Sequence, residues 1–147
     1  ALLIDYGGTY QGYSADITRT FFVKEVSDYD RAFYETVLAA NTKGREISRP
    51  GITASDVDDA VLTVLEQSQF AQFCRHKTGH GLGLDVHEAP QIMRGNKEML
   101  EPGMVFTIEP GLYREGETGV RIEDDVVVTE NGIECLTSFP RELRIIG

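Results

Sequence analysis

Four carboxylates and one imidazole lie in or beside strand-like segments, where a side chain can point inward: Asp5, Asp16, His80, Glu109 and Glu123. A carboxylate in an apolar strand is costly unless it is paired or binds a metal. Two carboxylates on one face of a hairpin repel each other unless a cation joins them. Each residue alone is more often structural, but together they predict a cation site.

The residue types also indicate which cations would bind. An oxygen-rich set with a single imidazole suits Mn²⁺, Fe²⁺, Co²⁺ or a carboxylate-rich Zn²⁺ pair better than a thiolate-type zinc site. Four acids are more than one divalent ion needs, so a two-metal cluster balances the charge better. Two metals about 3.5–4 Å apart lower the pKa of a bridging water to near neutrality. Hydrolysis of a peptide bond by the resulting hydroxide is then a natural reaction.

The first two carboxylates require a hairpin. Leu2 to Asp5 reads as a short strand ended by a turn at Gly7-Gly8, Gly12 marks a second turn, and 14–23 returns as a β-rich strand. The period of two then places Asp16, Thr18 and Thr20 on one face.

Two helices are predicted next. Ser27 and Asp28 form an N-cap before a helix over Tyr29–Ser48, and Pro50-Gly51 breaks the chain. Thr53 to Asp56 fits a capping pattern for the second helix.

Short strands follow the helices. They cover 104–109, 120–129 and 133–136, with a turn at Asn131-Gly132. A hairpin, two helices and several strands together predict an α+β fold with a mainly antiparallel sheet and helices on one side.

Bulk properties exclude some classes of function. The net charge of −10 argues against nucleic acid as a partner, because phosphate binding needs clustered Lys and Arg. With 147 residues the chain fits one domain, and no apolar run approaches the ~20 residues of a membrane span. Cys74 and Cys135 are too few and too far apart for a disulfide framework. We interpret them as buried thiols in a reducing compartment and predict a cytoplasmic location.

The motifs around the candidate ligands resemble those of the pita-bread metallopeptidases, in order and nearly end to end. The subgroup that the chain resembles is Xaa-Pro dipeptidase (prolidase) and aminopeptidase P. The matching motifs include Gly79-His80-Gly81-Leu82-Gly83, His87-Glu88-Ala89-Pro90, Glu109-Pro110-Gly111 and Arg121-Ile122-Glu123-Asp124. The resemblance implies hydrolysis of the bond preceding proline in Xaa-Pro dipeptides or in peptides with an N-terminal Xaa-Pro sequence.

The same resemblance implies a role for each ligand. Asp5 would bind one metal as a bidentate ligand, Asp16 and Glu123 would bridge both metals, and His80 and Glu109 would hold the second. Two divalent ions are expected, Mn²⁺ before Co²⁺, Fe²⁺ or Zn²⁺.

Three further residues are expected to act in catalysis. By resemblance, His76 lines the proline-side pocket and His87 contacts the scissile carbonyl, an oxyanion-type role. Arg121 lies two residues before Glu123, hence on the same strand face, and matches an arginine of the Xaa-Pro subgroup. Lys77 departs from the glycine that often follows the His76 position, which affects only the pocket assignment.

The resemblance also implies segments before Asp5. The family has a separate N-terminal domain and further helices and strands that supply half of the sheet. We therefore expect residues 1–147 to be the C-terminal part of a pita-bread catalytic domain, a curved antiparallel sheet covered by helices and incomplete at the N-terminus. A homodimer is expected for the full-length protein.

Two other functions remain open. A methionine aminopeptidase is disfavoured by Arg121 and by the sequence around His87, Leu84-Asp85-Val86-His87-Glu88. A catalytically inactive pita-bread binding module is disfavoured because such relatives usually lose ligands, whereas all five are present here.

Overall fold

The computed structural model describes residues 1–147 and contains two α-helices, ten β-strands and a short 3-10 helix over Ala71–Phe73. The elements are β1 (Leu2–Tyr10), β2 (Tyr13–Val23), α1 (Asp28–Ile47), α2 (Ala54–Glu66), β3 (Gly79–Gly81), β4 (Glu88–Ile92), β5 (Val105–Ile108), β6 (Gly111–Arg114), β7 (Thr118–Arg121), β8 (Asp124–Thr129), β9 (Gly132–Cys135) and β10 (Arg144–Ile146). The predicted α+β class is confirmed.

The β1–β2 hairpin forms as predicted, but the predicted turn at Gly7-Gly8 is wrong. Both glycines lie inside β1. The chain reverses only at Gln11 and Gly12, which have φ values of 51° and 88°, so the turn predicted at Gly12 is confirmed. Two positive φ angles in a two-residue loop match the twist of the flanking strands. Gly7 serves close approach instead, because a Cβ there would lie 2.6 Å from a backbone oxygen of β2.

Both helices begin where the caps predict. The Ser27 hydroxyl accepts a hydrogen bond from the backbone N–H of Asp30, and α1 ends one residue before the predicted Ser48. Thr53 and Asp56 form a reciprocal capping box at the start of α2. Local hydrogen bonding is sufficient to set these boundaries.

The predicted single strand over 120–129 is two strands. β7 ends at Arg121 and β8 begins at Asp124, with Ile122 and Glu123 between them. The Glu123 N–H donates to the Thr18 carbonyl of β2, so the chain leaves one sheet at this point and enters another. The strand predicted over 104–109 is observed as β5, and Glu109 directly follows its end.

The strands form three sheets. β1, β2 and β10 make one, with β10 parallel to β2; β4-β3-β5-β8-β9 make an antiparallel second; β6 and β7 form a separate hairpin. β3, β4, β6 and β10 are short and were not predicted. No helix of the structure is both long and apolar enough to cross a membrane.

Two apolar clusters form the interior. One packs α1 and α2 against the β6–β7 hairpin and includes Phe33, Val61 and Leu112. The other packs α2 against the five-stranded sheet through Val57 and Phe106. All five side chains are fully buried, and each such burial contributes about 1.5–3 kcal/mol. The clusters fix β5 and β8, the strands that adjoin the candidate site.

Candidate active site

The hairpin register places Asp5 and Asp16 on one face. Asp5 pairs with Thr18 and Asp16 pairs with Gly7. Residues directly opposite each other, and residues two apart on one strand, share a face. Because Gly7 has no side chain, the space beside Asp16 stays open.

The structure brings the five predicted ligands together. Asp16, His80 and Glu123 each place one ligand atom within 4.8 Å of the others. Oε1 of Glu109 lies 3.3 Å from Nε2 of His80. Asp5 lies at the exposed edge of the group, where its carboxylate is near enough to Asp16 to raise the pKa of that residue. These contacts place the five side chains at one site, and their role as metal ligands stays a prediction.

Hydrogen bonds orient the ring of His80. Its Nδ1 lies 3.0 Å from the Gly81 carbonyl oxygen, so Nδ1–H donates there and Nε2 is turned toward the carboxylates. Thr107 supports this arrangement, because its hydroxyl accepts from the His80 backbone N–H and donates to Glu109. Partners of this kind fix the tautomer of a metal-binding histidine.

The negative charges of the carboxylates at the site are poorly balanced by positive groups. Burial, reinforced by the charge of Glu109, raises the pKa of Glu123 to about 8. Burial also raises the pKa of Glu109, and burial with the neighbouring Asp5 carboxylate raises that of Asp16. Positive charge at this place would stabilise all of them. Oxygen donors with one free imidazole nitrogen therefore fit a pair of divalent metal ions.

A hydrogen-bonded chain connects His76 to the ligand group. Arg121 donates from Nη2 to Asp5 at 2.6 Å and from Nη1 to the Tyr113 hydroxyl at 2.9 Å. The Tyr113 hydroxyl lies 2.8 Å from Nε2 of His76, whose Nδ1 lies 2.8 Å from the Lys77 carbonyl. Burial raises the pKa of Tyr113, so its hydroxyl keeps the proton that it donates to His76.

Sequence reasoning did not identify Tyr113. A signal existed, because Tyr113 pairs with Gly119 in the β6–β7 ladder, and Gly119 is two residues before Arg121. Alternation therefore puts the tyrosine and the arginine on the same face. The signal is usable only once β6, a short strand, is recognised as the partner of β7.

The candidate catalytic residues line one polar cavity of about 310 Å³. His87 is exposed, and its ring lies edge-on to that of His80 with the centroids 4.3 Å apart. No apolar side chain contributes to the wall, which is formed by His76, Lys77, His80, His87, Glu109 and Arg121. A substrate in this cavity would meet the two histidines and the arginine beside the ligand group.

The sequence profile of metallopeptidase family M24 matches residues 1–130. The chain belongs to this family. Membership implies divalent metal ions, and the cluster of Asp16, His80 and Glu123 is a candidate place for them.

Individual relatives agree with membership of M24. The Xaa-Pro dipeptidase of Pyrococcus horikoshii is 42% identical over 142 residues, which cover 97% of this chain and 40% of that protein. The prolidase structure from Thermococcus sibiricus is 43% identical with a TM-score of 0.96, covering 98% of this chain and 39% of that one. The X-Pro aminopeptidase structure from Thermotoga maritima is 40% identical with a TM-score of 0.94, covering 98% and 41%.

These likenesses confirm the family and the pita-bread fold predicted from the motifs. The M24 chain spans about 40% of the length of the relatives that it matches.

Ion pairs made by Asp124, the residue that follows Glu123, support the site. Arg19 donates from Nη1 to the carbonyl oxygens of Thr18 and Glu123, and from Nη2 to Asp124 at 2.7 Å. Asp124 also accepts from Arg141 at 2.6 Å. Although burial disfavours its charge, these hydrogen bonds lower the pKa of Asp124 overall. The network therefore holds the backbone on both sides of the contact between Thr18 and Glu123.

Proposed function

We propose that the protein containing this chain hydrolyses the peptide bond preceding proline in Xaa-Pro dipeptides or in peptides with an N-terminal Xaa-Pro sequence. The observation that carries the proposal is the convergence of Asp16, His80 and Glu123 within 4.8 Å, with Asp5 and Glu109 beside them. Similarity to proteins named Xaa-Pro dipeptidase, prolidase and X-Pro aminopeptidase supports this substrate class.

We further propose that Asp5, Asp16, His80, Glu109 and Glu123 hold two divalent metal ions, with Mn²⁺ first because oxygen donors dominate. When bound, such ions supply Lewis acidity and lower the pKa of a water molecule. The residues themselves contribute a set of donors that converge without a metal, and two of them, His80 and Glu123, are buried.

The surrounding residues would bind and orient the substrate. His87 is exposed at the cavity and can donate a hydrogen bond to the scissile carbonyl oxygen as negative charge develops there. His76 is fixed by Tyr113 and would form the wall beside the proline. Arg121 donates hydrogen bonds to both Asp5 and Tyr113 and would therefore fix the positions of these two side chains relative to each other.

Features of the complete protein are part of the same proposal. The 40% coverage supports the view that residues 1–147 form part of a longer metallopeptidase. We propose a cytoplasmic location, which two free cysteines favour, and a homodimer, which rests on the family resemblance.

Metal analysis and hydrolysis assays test the function directly. We expect the complete protein to bind divalent metal and, with Mn²⁺, to cleave Gly-Pro or Arg-Pro-Pro at the bond preceding proline. Protein that binds no Mn, Fe, Co or Zn and cleaves neither peptide would favour a non-catalytic binding module. Cleavage of Met-Ala without cleavage of Xaa-Pro substrates would favour a methionine aminopeptidase.

Replacing Tyr113 by phenylalanine tests the hydrogen-bonded chain. Tyr113→Phe keeps the ring but removes the hydroxyl that bonds both Arg121 and His76. We expect kcat/KM for Gly-Pro to fall about 10- to 100-fold, as is typical when partners of a metal site are lost. Tyr29→Phe, on α1, is the matched control and should leave kcat/KM unchanged. Equal activity of the two variants would contradict a positioning role for Tyr113.

A further inference from the structure

Lys77 lies in the wall of the cavity with its ammonium group on the side of His80. Nζ of Lys77 donates to Oε1 of Gln91. Gln91 pairs directly with His80 across the β3–β4 ladder, so the two side chains share a face. Nε2 of Gln91 in turn donates to the Glu88 carbonyl at 2.9 Å, which orients its Oε1 toward the lysine. The ammonium is thus held at the side chain of Gln91, on the face that Gln91 shares with His80.

The charge of Lys77 is uncompensated. Arg121, the other permanent cation of the cavity, already donates to Asp5, Tyr113 and Thr18. Lys77 takes part in none of the ion pairs of the structure, and its hydrogen-bond partner is a neutral amide. An ammonium has three donors, so it can accept an anionic partner without giving up Gln91.

An Xaa-Pro dipeptide brings such an anion to this place. Its carboxylate is separated from the scissile nitrogen only by the Cα atom of proline, so a dipeptide held at the cluster places that carboxylate beside the reacting bond. A longer peptide has a neutral amide at the same position. A cation on the face of His80 therefore distinguishes the two kinds of substrate.

We propose that Lys77, held by Gln91, binds the C-terminal carboxylate of the substrate and makes the protein a dipeptidase with little activity on longer peptides. This inference rests on the proposed Xaa-Pro hydrolysis. It assigns the specificity of the site to a residue outside the expected ligands and catalytic groups.

A pair of substrates that differ only in the carboxylate tests the inference. The complete protein with Mn²⁺ is assayed on Gly-Pro and on Gly-prolinamide. Lys77→Met should reduce the preference for Gly-Pro, measured as the ratio of the two kcat/KM values, about 10- to 100-fold, as expected for loss of a charged hydrogen bond. Lys77→Arg should keep most of the preference. Lys43→Met, an exposed lysine on α1, is the matched control and should keep all of it.

A binding measurement separates this inference from the proposed function. Calorimetric titration should show tighter binding of L-proline than of L-prolinamide to the wild-type protein, and no such difference for Lys77→Met. If the wild-type protein cleaves neither substrate, the proposed function fails, and the titration still decides the role of Lys77. A preference for the carboxylate that survives in Lys77→Met, or wild-type protein without any preference, would overturn the inference.

Discussion

Glu123→Gln is expected to remove metal binding and to slow Gly-Pro hydrolysis roughly 1000-fold, because the charge at the centre of the cluster is lost. The Glu123 side chain is 2% exposed, and one of its ligand atoms lies within 4.8 Å of those of Asp16 and His80. Its Oε2 accepts a hydrogen bond of 2.5 Å from Thr18, so the carboxylate is fixed in place. Glutamine has the same shape but offers a divalent ion a neutral amide in place of an anionic oxygen.

The same substitution should not destabilise the metal-free fold. Burial, with the charge of Glu109, raises the pKa of Glu123 to about 8, so the anionic form is unfavourable without a cation. A neutral glutamine that still accepts from Thr18 should leave the free energy of unfolding unchanged or raise it by about 1 kcal/mol. Loss of activity could then not be attributed to misfolding.

Urea unfolding with and without Mn²⁺ measures both effects. At an Mn²⁺ concentration 100 times the dissociation constant, binding to the native state adds about 2.7 kcal/mol. We expect this gain in the wild-type protein and its loss in Glu123→Gln. Glu134→Gln, an exposed carboxylate on β9, is the control and should keep the gain. Full stabilisation of Glu123→Gln by Mn²⁺, with normal hydrolysis, would rule out Glu123 as a ligand.

The parts of the fold that sequence predicted well depend on local rules. The caps at Ser27 and Thr53 are set by hydrogen bonds to residues three positions away. Asp16 and Thr18 lie on the same face of β2 because side chains alternate between the two faces with a period of two. Because β1 and β2 form a hairpin, their pairing adds little sequence separation, and the shared face of Asp5 and Asp16 could be predicted.

The errors arise where distant segments decide local structure. Gly7 has the sequence signature of a turn, but it lies within β1, where the lack of a side chain allows the backbone of β2 to approach closely. Glu123 continues an apolar strand pattern, yet its N–H bonds the Thr18 carbonyl, 105 residues away in the chain, and the strand breaks there. A pattern read along the chain contains no information on either contact.

The same reason explains the site residues that sequence did not supply. Tyr113 acts through His76 and Arg121, which lie on different elements. Gln91 acts through Lys77 and faces His80 only because of the β3–β4 pairing. The ligands carry a recognisable chemical type, whereas these supporting residues gain their roles from tertiary contacts alone.

Asp124→Asn is expected to destabilise the protein by about 3–5 kcal/mol, because it leaves the buried Arg19 and the half-buried Arg141 without their anion. Asp124 is fully buried, with Arg19 and Thr137 bonded to Oδ1 and Arg141 and Asn41 bonded to Oδ2. Asparagine keeps the volume but loses the charge, and its amide group cannot accept from the donors on one side. Urea unfolding of the metal-free protein measures the loss.

Asp59→Asn provides the control, since Asp59 pairs with Arg94 at the surface, where both side chains are about half exposed. A pair of this kind contributes about 0–1 kcal/mol. A loss below about 1 kcal/mol in Asp124→Asn would contradict the structural role given to the buried network. Glu123 and Asp124 are adjacent and both buried acids, yet neutralising the first should spare the metal-free fold and neutralising the second should weaken it. These opposite results would follow because Asp124 faces arginines that balance its charge, whereas Glu123 faces carboxylates that only a cation can balance.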